Sequence, residues 1–373
     1  MTSATPLRRW AFVALVATVL GGSPYLWRAL PVDDPDTDAA SLLMLAQGSA
    51  DVGFSGYVES QGDLQLPVTD QFTDLADLLV DRTRMRVWWR SSVDWRVNAL
   101  EATGETDLVH DGARTLVWEY ERSQASVSAE PRVRLPRASD LLPNELGRQL
   151  LTGATTAEVS RLPARRVAGV EAPGLRVVPS LPQSSIDHAD IWVDPASGLP
   201  VQVALYGDGD GADPSLSTRF LDLDVTMPPP ERTGFTLPPG ADLTYDDVID
   251  VADGADRYAP TRTPRRLAGL DRREGSGRAV GSYGVGATVL FALPLEARVS
   301  EPLREQLATT ADVRVDAAGS ALTVGPLNLL LTPEHADRPS WLLAGTVVPP
   351  ALRRAAHRVD APVVFVARSG PLQ

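Results

Sequence analysis

The chain contains no cysteine and no lysine, although it is 373 residues long. Without cysteine it has no disulfide, no thiolate metal site, no cysteine nucleophile and no acylated cysteine of the bacterial lipoprotein type. Without lysine it has neither Schiff-base chemistry nor the lysine of a Walker loop. All 35 basic residues are arginines, against 48 acidic residues. The net charge of −13 argues against nonspecific nucleic-acid binding, which needs a basic surface.

The first thirty residues are typical of a segment that enters a membrane. Two consecutive arginines precede an apolar stretch, Trp10 to Leu30, and four aspartates follow between positions 33 and 38. This charge pattern places the N-terminus in the cytoplasm and the rest of the chain outside it. The core at 11–22 suits a signal peptide, whereas the whole stretch is long enough to span a bilayer. We favour an uncleaved anchor, because Pro24 would directly follow the best cleavage site; a cleaved signal peptide and a buried core helix are the alternatives.

Residues 38–230 are predicted to form one large antiparallel sheet with two helices. Helical composition indicates helices over 39–47, capped by Thr37 or Asp38, and over 140–151. Short segments with alternating apolar and polar residues indicate about ten strands, and a sheet of that size must twist and curl. We therefore expect a half-barrel whose concave side is closed by the two helices. The predicted strands are 54–61, 83–90, 94–100, 105–111, 114–122, 157–162, 174–179, 189–194, 201–206 and 219–225.

Three consecutive prolines at 228–230 and an acidic stretch to residue 257 indicate a domain boundary. Residues 258–373 contain 14 arginines and 10 acidic residues, a net charge of +4, whereas residues 1–257 contain 21 and 38, a net of −17. The second part mixes predicted strands and helices, so the fold class is α+β. The predicted strands there are 278–283, 287–292, 313–316, 322–331 and 341–348, and the helices are 302–309 and 350–359. The expected divisions are an anchor with an acidic flank (1–37), the half-barrel (38–230), an acidic, proline-rich linker (231–257) and a small α+β domain (258–373).

Three motifs of the chain occur in an order that resembles the order found in two related protein families. They are Phe54-Ser-Gly-Tyr-Val58, Met85-Arg-Val-Trp-Trp89 and the hairpin Ile191-Trp-Val-Asp-Pro195 with Gly198-Leu-Pro200. The chain is similar over residues 40–230 to the LolA family of periplasmic lipoprotein carriers, and its two-domain layout looks more like the MucB/RseB family of envelope-stress regulators.

The resemblance implies a curled antiparallel half-barrel closed by helices over an apolar cavity. In the carriers such a cavity holds acyl chains. The regulators bind the extracytoplasmic part of an anti-sigma factor and respond to lipid-bearing signals. The resemblance therefore implies a lipid or acylated ligand and an anti-sigma factor as partners, and it implies no cofactor.

Two residue sets are the candidate binding sites. Strand alternation places an apolar set on the concave face, and a packed core is the alternative to a cavity for each member. The predicted set is Val58, Met85, Val87, Trp89, Trp95, Val97, Leu116, Trp118, Ile191 and Val193. A basic cluster in the second domain suits an acidic partner or lipid headgroup, with a solvated linker surface as the alternative. This cluster is Arg262, Arg265, Arg266, Arg272 and Arg273.

Other motifs give weak support for catalysis or metal binding. None of the four histidines lies two to four residues from another, the spacing of a helical zinc pair. The aspartates of 208–213 lack the later ligands of a calcium loop, and the glycines of 281–286 are in the wrong order for a dinucleotide loop. Ser185 and His188 are close only in sequence.

We therefore expect a membrane-anchored, extracytoplasmic, non-enzymatic protein that binds a lipid or lipidated ligand. The expected role is that of a negative regulator or sensor in envelope-stress sigma-factor signalling. An accessory subunit of an envelope transport system, or a lipid carrier, is the alternative.

Overall fold

The structure of the chain is a computed structural model. It describes residues 31–64, 79, 82–100, 104–130, 134, 136–209, 211, 213–245, 255, 262–335 and 338–359. The segment in which we predict a membrane anchor lies outside these residues. No helix within the described ranges combines the length and the apolar character needed to span a bilayer.

Twelve strands form one large sheet. Their order is β12-β6-β5-β4-β3-β2-β1-β11-β10-β9-β8-β7, and all neighbours are antiparallel except β12 and β6, which are parallel. The strands are β1 (Phe54–Gly62), β2 (Arg82–Ser91), β3 (Asp94–Leu100), β4 (Glu105–His110), β5 (Arg114–Glu119), β6 (Gln124–Ala129), β7 (Val159–Val167), β8 (Val170–Val177), β9 (Ile186–Val193), β10 (Pro200–Gly207), β11 (Leu216–Asp224) and β12 (Asp242–Tyr245). The sheet stays open, with β7 and β12 as its edges, so it is not a closed barrel.

Two strands of this sheet, β6 and β12, are not among those predicted from the sequence. Strand β6 consists of small residues, Gln-Ala-Ser-Val-Ser-Ala, which lack a clear apolar alternation. Strand β12 lies inside the segment predicted as a linker, where its four residues pair with β6 from Asp242 opposite Gln124 to Tyr245 opposite Val127. Edge pairing of this kind depends on a neighbour that is distant in sequence, which local alternation does not reveal.

Two helices cover part of one face of the sheet. Helix α1 (Ala39–Gln47) has the predicted bounds, and the carboxylate of Asp38 accepts a hydrogen bond of 3.0 Å from the amide of Ser41. Helix α2 spans Pro143–Leu151 and is shorter than predicted, because residues 138–141 form a separate 3₁₀ turn. The buried leucines of both helices join the core beneath them: Leu42, Leu43, Leu150 and Leu151.

Helix α2 lies very close to the sheet. A Cβ atom at Gly147 would stand 2.8 Å from the Cβ of Pro200 and 3.4 Å from Cγ2 of Val203 on β10. Glycine is therefore what allows the helix to approach the strand at this distance.

The second domain contains a six-stranded sheet of order β15-β16-β20-β19-β18-β17. A short hairpin precedes it and two longer helices flank it, whereas the four-residue helix α3 (Pro230–Thr233) contacts β2 and β3 of the large sheet. The elements of the second part are β13 (Arg266–Leu267), β14 (Leu270–Asp271), β15 (Gly281–Val285), β16 (Thr288–Leu295), α4 (Ala297–Thr309), β17 (Arg314–Asp316), β18 (Gly319–Val324), β19 (Leu327–Leu331), β20 (Ser340–Gly345) and α5 (Pro349–Val359).

Two predictions for this domain need correction. The segment 322–331, predicted as one strand, is a hairpin: Gly325 turns the chain with a φ of +52°, a region that glycine tolerates. The helix predicted to begin at Pro302 begins five residues earlier at Ala297, and the proline lies inside it. Packing of the buried Ser300 and Leu307 retains the helix across the missing amide donor.

The two sheets pack against each other. The hydroxyl of Ser185 donates to the carbonyl of Pro326 at 2.5 Å, and its amide donates to Thr346 at 3.2 Å. The amide of Val348 donates to the carbonyl of Gln183 at 2.8 Å. Apolar residues of the second domain extend the core of the large sheet: Ala287, Leu307, Leu322, Val324 and Leu331.

Candidate functional site

Eight of the ten residues predicted for the apolar face share one face of the large sheet. Val58 is opposite Met85, Val87 is opposite Val97, and Trp89 is opposite Trp95 in the strand register. The eight are Val58, Met85, Val87, Trp89, Trp95, Val97, Ile191 and Val193, and each is at most 4% exposed. We call this surface, on which α1 and α2 lie, the apolar face.

The placement of Leu116 and Trp118 on the apolar face is wrong. Trp118 is opposite Asp107, which in turn is opposite Asn98, and that row lies on the other face of the sheet. Alternation shows which residues of β5 lie together, but the turn between β4 and β5 sets the register that decides their side. On its own face Trp118 packs against Phe235, with ring centroids 5.7 Å apart.

Aromatic rings fill the centre of the apolar face. Trp89 stacks between Phe54 and Trp95, with centroid distances of 6.0 and 5.8 Å, and Phe220 meets Phe54 edge-on at 5.3 Å. Trp95 also stacks on His110 at 5.2 Å. In this conformation the described side chains of the apolar face are packed as a core.

A half-buried charged cluster borders the aromatic row. Arg137 donates to both carboxylate oxygens of Glu130 at 2.7 and 2.8 Å, Arg134 donates to Glu130 at 3.0 Å, and the Thr115 hydroxyl donates at 2.8 Å. Burial alone would raise the pKa of Glu130, but these hydrogen bonds outweigh it and lower the pKa to about 2. Burial lowers the pKa of His110, whose Nδ1 lies 3.1 Å from the Thr115 hydroxyl.

This cluster also contacts the apolar face directly. The guanidinium of Arg137 lies 5.5 Å from the ring centroid of Trp95. The sequence does not reveal the cluster, because its members come from β4, β5, the residue after β6 and the segment before α2, where no local spacing connects them.

A pocket lies on the opposite face of the large sheet, beneath α3. Its volume is about 290 Å³, and its walls include Arg96, Asn98 and Tyr120. All three contact the fully buried Asp107: Arg96 through a close ion pair, Asn98 Nδ2 at 2.9 Å and the Tyr120 hydroxyl at 3.2 Å. Because the carboxylate pairs within the protein, the network serves the structure of this face.

The second domain has a larger pocket, which is lined by arginines and which we call the arginine pocket. Its volume is about 600 Å³. The polar side chains of its lining are Arg262, Thr263, Arg265, Arg272, Ser276 and Arg278. The described lining residues include four arginines and no carboxylate.

Three members of the predicted basic cluster, Arg262, Arg265 and Arg272, meet in this pocket. The other two do not line it: Arg266 pairs with Asp271 at 3.4 Å, and Arg273 lies outside the wall. The fourth lining arginine, Arg278, was not in the predicted cluster. It was missed because it was assigned to the start of a strand, whereas the strand begins at Gly281.

The weak catalytic motifs do not assemble into a reactive site in the described part of the chain. The Ser185 hydroxyl donates to Pro326, so it is not oriented by His188. His188 instead contacts Asp187 at 2.6 Å and stacks on Tyr206 at 4.2 Å. The described residues contain no group of three or more potential metal ligands.

No protein-family model matches the chain, and no curated protein matches it. Among solved structures, the MucA/MucB complex of Pseudomonas aeruginosa is similar at 15% identity and a TM-score of 0.46, over 85% of this chain and 96% of that one. A LolA superfamily protein of Nitrosomonas europaea is similar at 12% identity and a TM-score of 0.25, over 53% of this chain and 98% of that one. The chain is thus similar to structures of both groups at low identity.

Proposed function

We propose that the chain is an extracytoplasmic, membrane-anchored, non-enzymatic binding protein that regulates an envelope-stress sigma factor through a membrane partner. The N-terminal sequence supports the anchor and the location of the folded part. The resemblance to envelope-stress regulators suggests an anti-sigma factor as the partner. In this proposal the ligand is a lipid or an acylated molecule.

The main observation in favour of a lipid or acylated ligand is the continuous apolar face. Eight predicted residues converge there, and helices α1 and α2 lie over part of it. An acyl chain needs a contiguous apolar surface shielded from water, since its binding gains about 0.8 kcal/mol for each buried CH₂ group. The face is packed in this conformation, so a chain can enter only when α1 or α2 moves outward.

Displacement of a fluorescent fatty acid tests the lipid part of the proposal. The full chain is held in nanodiscs of phosphatidylcholine, and Val97→Phe is compared with Val109→Phe. Val97 lies on the apolar face, whereas Val109 is opposite Arg96 on the other face of the same strand pair. We expect the first substitution alone to weaken binding, with circular dichroism to verify folding. Failure of the unmodified chain to bind fatty acid contradicts the lipid ligand.

Capture of membrane partners tests the regulatory part. The tagged full chain is extracted in mild detergent, and the proteins that copurify are identified by mass spectrometry. An anti-sigma factor supports the proposal. Its consistent absence, with a transporter in its place, contradicts it.

A second candidate function is that of an accessory subunit of an envelope transport system that uses the sheet only for protein contacts. The observation in its favour is the packing of the apolar face, with stacked rings where a ligand would lie. Under this alternative, fatty acid does not bind and a transporter subunit copurifies.

A further inference from the structure

Two buried hydroxyl groups interrupt the apolar face, that of Ser60 on β1 and that of Thr218 on β11. We infer that they hold the uncharged carbonyl group at the polar end of an acylated ligand. The inference rests on the proposed function and deepens it, because it names the place on the apolar face where the polar end of the ligand lies and the chemical group that this end carries.

Strand register places the two side chains next to each other. Ser60 lies directly opposite Thr218 on one side and opposite Thr83 of β2 on the other. Side chains two residues apart on a strand point to the same face, and Val58, two residues before Ser60, belongs to the apolar face. The apolar face therefore contains a row of three hydroxyl-bearing side chains, Thr83, Ser60 and Thr218, which we call the hydroxyl row.

Two hydroxyls of this row are buried without a partner. Ser60 is fully buried and Thr218 is 1% exposed. Neither hydroxyl has a hydrogen-bond partner among the residues that the structure describes. The large majority of buried polar groups in native proteins are hydrogen-bonded, and an unpaired one costs free energy. A ligand that brings an acceptor to the row removes this cost.

Helix α2 lies over one end of the row. Val203 of β10 is opposite Thr218, and a Cβ atom at Gly147 of α2 would stand 3.4 Å from the Cγ2 of Val203. Asn144 lies three residues before Gly147 and hence on the same side of the helix. It is 8% exposed, and its Oδ1 is a further buried atom with no partner in the described part of the chain. Outward movement of α2, by which an acyl chain can enter, would open this end of the row.

An uncharged carbonyl fits the row better than an ionised carboxylate does. A carbonyl oxygen has two lone pairs and can accept from both hydroxyls. An ionised carboxylate would be a buried charge, which needs an ionic partner, whereas the nearby residues of the same face, Val58, Met85 and Phe220, carry none. An acyl ester and an acyl amide both place a neutral carbonyl at the end of an apolar chain. Glycerolipids and acylated protein segments share this chemistry.

Displacement of the fluorescent fatty acid from the full chain in phosphatidylcholine nanodiscs tests the inference. The competitors are methyl dodecanoate, N-methyldodecanamide, ionised dodecanoate and tridecane, which has no polar atom. Each competitor is compared between variants of the chain, because its partition into the nanodisc is the same for all of them.

Substitutions that remove one hydroxyl are paired with controls that keep the row intact. Thr218→Val removes the hydroxyl and keeps the branched shape, whereas Thr218→Ser keeps the hydroxyl. Ser60→Ala is compared with Ser217→Ala, since Ser217 lies on the other face of β11. Because one net hydrogen bond is lost, we expect Thr218→Val and Ser60→Ala to bind methyl dodecanoate about fivefold more weakly. The two controls, and every variant with tridecane, should change by less than about twofold.

The ligand-free chain gives a second readout, which a purely structural hydroxyl would not share. Replacing a buried hydroxyl that has no partner by a methyl group of the same shape is neutral or stabilising. We therefore expect Thr218→Val to have an unchanged or higher Tm without ligand, measured by circular dichroism, although it binds the ester more weakly.

Asn144→Leu distinguishes the two sources of the carbonyl. The N–H of N-methyldodecanamide can donate to the Oδ1 of Asn144, and methyl dodecanoate has no such donor. A greater loss of affinity for the amide than for the ester identifies an acylated protein segment as the ligand. An equal response of the two probes identifies a lipid ester.

Three results overturn the inference: unchanged ester binding in both Thr218→Val and Ser60→Ala, a lower Tm of ligand-free Thr218→Val, or a larger loss for dodecanoate than for the ester. The last result identifies an ionised carboxylate at the row. In each case the unmodified chain still binds the fluorescent fatty acid, so the proposed lipid ligand stands. If the unmodified chain binds no fatty acid, the lipid part of the proposed function fails first and the inference fails with it.

Discussion

The charged cluster beside the aromatic row gives the most quantitative prediction. Replacing Glu130 with glutamine keeps the size of the side chain but removes the charge that Arg134, Arg137 and Thr115 stabilise. The substitution leaves Arg137 with no carboxylate partner in a half-buried position. We therefore expect Glu130→Gln to lower the free energy of unfolding of the large sheet.

The pKa of Glu130 sets the size and the pH range of this effect. A fall from the ordinary value of 4.5 to about 2 corresponds to about 3 kcal/mol of native-state stabilisation. Because 30% of the side chain is exposed, solvent screening reduces our expectation to about 2 kcal/mol. A depressed carboxyl pKa stabilises the fold at pH values above the unfolded pKa of 4.5. This contribution is lost as the pH falls through the interval from 4.5 to about 2.

Urea unfolding followed by tryptophan fluorescence measures the effect, with Glu119→Gln as control. Glu119 forms an exposed ion pair with Arg122, so its replacement should cost less than about 1 kcal/mol. The difference between the unmodified chain and Glu130→Gln should be full at pH 7 and less than half as large at pH 3. Equal stability at pH 7, or an undiminished difference at pH 3, would refute this account of the cluster.

Two further predictions concern packing on the two faces of the large sheet. Gly147→Ala should lower the free energy of unfolding in urea by about 1–3 kcal/mol, since the new Cβ would stand 2.8 Å from the Cβ of Pro200. The control Gly211→Ala should be nearly neutral, because a Cβ there would have nothing within 4 Å. Equal stability of the two variants contradicts the close approach of α2. Trp118→Phe should lower stability by about 1–3 kcal/mol yet leave fatty-acid displacement unchanged, because Trp118 packs on Phe235 away from the apolar face; altered displacement in a folded variant contradicts this placement.

Local alternation predicted most of the large sheet because its strands are consecutive and antiparallel. In β2, Met85, Val87 and Trp89 are buried while Arg84 and Arg86 are exposed, the pattern that the sequence shows. Neighbours along the chain are neighbours in the sheet from β2 to β6, so each strand could be identified without knowledge of distant contacts.

The missed features depend on contacts that a local pattern does not contain. Leu116 and Trp118 share a face in sequence and in structure, but the register with β4 puts that face opposite to the predicted one. Trp118 is buried on that face because the segment after α3 places Phe235 over its ring. Burial therefore did not distinguish the two faces, since both are covered and both can hold tryptophan.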